Sequence, residues 1–342
     1  MTRSDKAALR LTLGMGLATF VAYGLALQTP YLVCILAVLI LCKPGPPLPV
    51  LKAVLLAFAL ALAVAAGVLM VPLLEHYAAA GLLLTAALLF ILFLVGRLQS
   101  NPLATVLVLA FTLIPVAGVA EQALVGLISL TFAVGVLVGS VAGVLSAAIF
   151  PDTGAAALPA PSPPSAAAAR WIALRGMLIV MPVFVLALSN PSFYLAAIMK
   201  TVALGQQAGE TDARSGGREL VGSTLMGALI ALAAWPGLSL WPSLWMLVLW
   251  MMAAALWAGS ALYRARRTRL PPSFWSNALI TALILFGPAI EDSASGKGVL
   301  EGAVMRTFLF VGVACYAWAM VWAMERWRAR GRNAFTLSRK DP

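Results

Sequence analysis

Apolar residues run through this chain in long blocks with no period-two alternation, broken by short clusters of Pro, Gly and charge. A membrane-crossing helix needs about 20 apolar residues, and only helices or closed barrels satisfy their backbone in lipid. The blocks predict twelve helical segments: 8–27, 30–42, 52–74, 77–96, 102–119, 122–150, 171–189, 191–204, 218–236, 241–263, 273–290 and 299–325. Between the sixth and seventh lies Pro151–Arg170, with five Pro and eight Ala in twenty residues, which predicts an extended linker. The expected fold is an all-α polytopic membrane protein: a first six-helix repeat (1–150), the linker (151–170), a second six-helix repeat (171–325) and a basic tail (326–342).

Composition agrees, with 62% hydrophobic and 10% charged residues against about a quarter charged in soluble domains. The net charge of +11 is explained by a positive-inside bias rather than nucleic-acid binding. With the N-terminus inside and strict alternation, 21 of the 23 Lys and Arg fall on the inner side; the exceptions are Lys297, outside, and Arg306, within the last segment. Both termini are therefore expected in the cytoplasm of a bacterial-type inner membrane. Arg3, Lys6 and Arg10 before an apolar run resemble a signal peptide, but the run is long enough to span and no clear cleavage site follows.

The halves carry matching marks in the same order. ALR at 8–10 pairs with ALR at 173–175, and Pro30-Tyr31 with Pro191-Ser-Phe-Tyr194. Lys52 pairs with Arg218, and Pro115 with Pro288. Six helices per half make the repeats parallel, related by an axis along the membrane normal. Segments 2 and 8 are short, the eighth ending near Lys200, and segments 5 and 11 contain Pro115 and Pro288. Such segments at corresponding positions are the usual pointer to a transporter's binding region, because a broken helix frees backbone groups; the alternative is that they are tilted or kinked helices.

Candidate substrate-binding residues are Arg306, Lys200, Tyr31, Tyr194, Pro115 and Pro288, with Glu301 as a proton carrier, since intramembrane charge is costly and usually faces a cavity or partner. Alternatively, Arg306 snorkels to the outer interface, Glu301 is a solvated first-turn acid, and Lys200, Arg175 and Arg218 anchor inner helix ends. Gly135, Gly139 and Gly143, four apart, predict a close-packing stripe, as do Ser223, Gly227 and Ala231. Trp245, Trp250 and Trp257 are interface anchors or pocket walls. Cys34, Cys42 and Cys315 show no paired or metal-ligand spacing, and His76 is the single His. No P-loop, HExxH or GxSxG occurs, so no enzyme activity, metal or cofactor is expected.

Arg10, Pro30-Tyr31 and Lys52, then Arg175, Pro191 with Phe193-Tyr194, and Gly217-Arg218-Glu219 with Gly222, form a loose pattern over nearly the whole chain. It resembles the fusaric acid resistance / aromatic acid exporter family, in particular a compact branch described only as a domain of unknown function. The resemblance implies an inner-membrane efflux component for small aromatic or amphipathic acids, driven by the proton gradient and working with a periplasmic membrane-fusion adaptor. The larger members carry cytoplasmic domains after each helical block; here a linker and a short tail stand in their place, so roles of those domains do not transfer. The alternative function is a non-transporting scaffold for an adaptor or enzyme. Expected partners are the lipid bilayer, a small organic acid and, through the small-residue stripes, a second copy of the chain.

Overall fold

The computed structural model of the chain describes residues 2–42, 51, 54, 55, 58, 67–99, 103–151, 164–209, 211, 215–294 and 299–338. The helices of the first half are α1 (Arg3–Gly24), α2 (Pro30–Leu41), α3 (Met70–His76), α4 (Ala78–Gln99), α5 (Leu103–Ala120) and α6 (Gln122–Ile149). Those of the second are α7 (Ala166–Ser189), α8 (Pro191–Ala208), α9 (Gly222–Leu240, entered through a π-helical turn at Gly217–Val221), α10 (Leu244–Leu262), α11 (Pro272–Ala294) and α12 (Val299–Ser338). Every regular element among the described residues is helical. Among the described residues, eight helices are long and apolar enough to cross a membrane; α2 and α5 are apolar but shorter. Most of the third predicted segment, and most of the linker, lie outside the described residues.

Four helices occupy the centre. α5 packs on α8, α8 on α11 and α11 on α2, with a lighter contact from α2 to α5. The membrane-length window of α11 is 83% buried against at most 50% in the other seven long helices, so α11 is the axis of the bundle. In α2 the run Pro30–Val38 is buried on every face. A 12-residue helix spans only about 18 Å of a ~30 Å core. That shortfall is tolerated because protein, not lipid, surrounds Pro30–Val38.

The remaining helices clasp these four. α1 lies against α10, and α4 against α7; α6 covers α2, and α12 covers α8. The glycine stripe of α6 sits on α2: a Cβ on Gly139 would fall 2.8 Å from Ala37 Cα, and one on Gly135 would fall 3.3 Å from Val33 Cα. Gly143 meets Leu41 Cδ2 at an ordinary 3.5 Å and does not need to be glycine for space.

Three expectations change. The last five linker residues are helical: Ser165 accepts from Ala168 N, and the Ala166–Ala169 run continues as the first turn of α7, because Ser is a preferred cap and Ala the best helix former. Pro115 and Pro288 are buried inside continuous helices rather than at breaks. Pro182 and Pro236 also lie inside helices, in α7 and α9, so an internal Pro does not single out the central four. Finally, α8 runs on to Ala208, and Lys200 stands in its middle instead of anchoring its end.

Candidate functional site

Lys200 is 0% exposed, the most completely buried charged side chain among the described residues. Its Nζ donates to Thr281 Oγ1 at 2.6 Å and to Asn277 Oδ1 at 3.3 Å. Asn277 and Thr281 are four apart and therefore stacked on one face of α11. Thr281 Oγ1 also donates to the Asn277 carbonyl at 2.6 Å, which fixes its lone pairs towards the lysine. Asn277 Nδ2 donates to Ser223 Oγ at 2.7 Å, and Ser223 Oγ lies 3.2 Å from Gln207 Oε1. Gln207 Nε2 donates to the Glu219 carbonyl at 3.1 Å, and the Thr211 hydroxyl meets Glu219 Oε2 at 2.9 Å. Six buried polar side chains from α8, α9 and α11 and the turn before α9 are thus joined to the lysine in one network.

Two backbone features make room for it. A Cβ on Gly227 would fall 2.5 Å from the Ala278 carbonyl oxygen and 2.5 Å from Thr281 Cβ, so the glycine lets α9 lie directly on α11 beside the lysine's acceptors. At Gly217–Val221 the π-helical turn widens the backbone where the Glu219 carbonyl accepts from Gln207. Single π turns are frequent at functional sites.

The one acid in the network, Glu219, is linked to the lysine only through Gln207, Ser223 and Asn277. Both protein partners of Lys200 Nζ are neutral, and among the described residues no carboxylate pairs with it. Removing an unpaired ammonium from water costs several kcal/mol even after relaxation. An ionisable side chain buried among apolar helices is costly and usually faces a partner or a cavity.

A second charged group sits at the far end of α11. Arg306 Nη1 on α12 is 2.8 Å from Asp292 Oδ2, a close charge contact rather than an aligned hydrogen bond. Glu291 and Arg306 both lie within electrostatic reach of Tyr31, whose ring packs on Gly287 of α11. Thr281 and Asp292 are eleven residues apart, about 16 Å along the helix, so this cluster and the lysine are separate. Glu301 is exposed in the first turn of α12. Tyr194 is half-buried, edge-on to Phe193 at 4.8 Å, six residues before Lys200 on α8. The residues proposed from sequence therefore divide: Tyr31, Pro288 and Arg306 near one end, Lys200 at the centre, and Glu301 on the surface.

Trp245, Trp250 and Trp257 do not line a common pocket. Trp245 is exposed beside Phe20, Trp250 closes on Gly237, and Trp257 stacks edge-on to Trp275 at 5.1 Å under Arg266. Sequence reasoning missed Asn277, Thr281 and Gln207. It took Ser223 for packing, whereas its hydroxyl links Asn277 to Gln207. The available signal was polar residues four apart in apolar segments: Asn277 with Thr281 in α11, and Gln207 with Thr211 at the end of α8.

Compared with known proteins, residues 7–151 match the model of a family described as "Protein of unknown function (DUF2955)". The match covers the first six helices, under half of the 342 residues, and stops at the start of the linker. No curated protein and no solved structure matches the chain. The lysine network lies wholly in the half outside the family match.

Proposed function

We propose that the chain is a twelve-span membrane transporter built as two parallel six-helix repeats, moving small organic acids through the region where α2, α5, α8 and α11 meet. The observation that carries this reading is the lysine-centred polar network, sealed among the central helices. Burying a lysine there with no acid in direct contact costs stability, which a purely structural scaffold avoids with an apolar residue.

The repeat is supported by neighbour relations that recur six helices on. The pair α1–α10 corresponds to α7–α4, α2–α6 to α8–α12, and α2–α11 to α8–α5. Side-chain caps recur too. Tyr263, following α10, donates to the Leu41 carbonyl at the end of α2, and Arg97 of α4 donates to the Gln206 carbonyl near the end of α8. Arg10 of α1 donates to the Phe150 carbonyl after α6, while Arg175 of α7 pairs with Glu325 of α12. Two copies of one bundle around a central axis favour movement of one half against the other about a fixed site.

Aromatic acids as cargo, export as the direction, and the proton gradient as the drive come from the exporter resemblance, as does a periplasmic adaptor. The test is protein-dependent uptake of benzoate, salicylate and 4-hydroxybenzoate into inverted vesicles. Uptake that collapses with a protonophore is expected. No uptake of any of the three by protein shown to be inserted would favour the scaffold.

A further inference from the structure

We propose that Lys200 is the centre of a single binding site for a small monocarboxylate, present in the second half only. The inference rests on the transporter reading and names the charge and number of what is carried.

The number of sites follows from the sequence. Aligning Pro30 with Pro191 places Leu39 opposite Lys200. Aligning Pro115 with Pro288 places Ala104 and Val108 opposite Asn277 and Thr281. Every position that contacts the lysine in the second half is apolar in the first. A repeat that duplicates its helices and not its polar centre has one site per chain.

The charge follows from the donor count. An ammonium offers three donors. Asn277 and Thr281 take two, and among the described residues none takes the third. Both acceptors are otherwise committed, Asn277 to Ser223 and Thr281 to the Asn277 carbonyl, so neither can swing away to bind a ligand independently. In its protonated form the lysine thus presents one directed donor and one unit of positive charge. A carboxylate completes both. A neutral analogue leaves the charge uncompensated, a cation is repelled, and a dianion leaves a net negative charge in the core. Charge-assisted hydrogen bonds are roughly twice as strong as neutral ones, which makes the carboxylate the discriminating group.

The test is equilibrium binding to the full-length protein in lipid nanodiscs, with radiolabelled benzoate as the probe and acetate, lactate and 4-hydroxybenzoate as competitors. Benzyl alcohol, benzylamine and phthalate serve as neutral, cationic and dianionic controls. The expected result is one benzoate per chain, displaced by at least one monocarboxylate and by none of the controls. Two variants separate a binding role from a structural one. Lys200→Met removes the charge and keeps the stem, so binding should fall at least tenfold while the unfolding temperature holds or rises. Asn277→Asp supplies an internal carboxylate to the same ammonium, so binding should be lost while the fold is retained.

Unchanged benzoate binding in both variants overturns the proposal, and so does a wild-type protein that binds none of the four acids. A Lys200→Met protein that unfolds at lower temperature while Asn277→Asp binds normally also overturns it, by making the lysine structural. Transport by Lys200→Met vesicles at the wild-type rate sinks the site and leaves the transporter standing. Binding as expected without transport does the reverse.

Discussion

At the scale of single residues, the space around each glycine decides what a methyl group does. Gly227→Ala drives a Cβ into the Ala278 carbonyl and Thr281, neither of which is the far end of a flexible side chain. Overpacking of this kind costs about 1–3 kcal/mol. Gly126 and Gly312 have nothing within 4 Å of an added Cβ. Alanine at those two should be neutral or stabilising by up to ~1 kcal/mol, from helix propensity alone. Unfolding midpoints of the three variants in one detergent should rank Gly227→Ala lowest, and equal midpoints would mean α9 is not seated on α11 as described. The same residues show how far the site was legible. Lys200 stood out in the sequence as a charge beside an apolar run, but its burial depends on Asn277 and Thr281, 77 and 81 positions away. A single Asn or Thr in an apolar segment carries no mark of the lysine it will meet.

Among the helices, the ends are held from the opposite half. The last carbonyls of a helix have no partner within it. At α2 one is met by Tyr263 Oη at 2.8 Å, and at α8 one is met by Arg97 Nη2 at 2.6 Å. The two caps differ in charge, and their loss should differ accordingly. Tyr263→Phe removes a neutral hydrogen bond, about 1 kcal/mol, and Arg97→Met a charged one near a helix C-terminus, about 1.5–3 kcal/mol. Denaturant titrations of both variants should show the larger loss at Arg97. An Arg97→Met protein as stable as wild type would remove this cap as a link between the halves. Helix existence and order were readable from the apolar blocks, and the oddness of segments 2, 5, 8 and 11 did mark the centre. The reason given from sequence was only half right. Shortness holds for α2, with 12 residues, but α8 runs to 18, and Pro182 and Pro236 show that internal Pro is tolerated outside the central four as well.

For the whole molecule, the count of crossings sets what the site is for. Length and composition pick out eight candidate spans. The proposed count of twelve adds α2 and α5, both shorter; α8, made less apolar by Lys200, Gln206 and Gln207; and the predicted segment 52–74. Twelve crossings would put both chain ends and the linker on one face and the loop carrying Lys297 on the other. Fusions of a fluorescent protein and of alkaline phosphatase after residues 160, 297 and 342 read this directly in a bacterial host. Fluorescence at 160 and 342 with phosphatase activity at 297 is expected. Phosphatase activity at 342 together with fluorescence at 160 would give the second half an odd number of crossings. Parallel repeats would then be impossible, and the recurrence of helix neighbours six apart would need another origin. With the expected pattern, α8 and α11 run in opposite directions and place Lys200 and Thr281 each about 14 Å along their helices, nine residues after Pro191 and Pro272, from opposite membrane faces. The lysine would then stand close to the bilayer midplane, the depth at which the proposed carrier would hold its substrate.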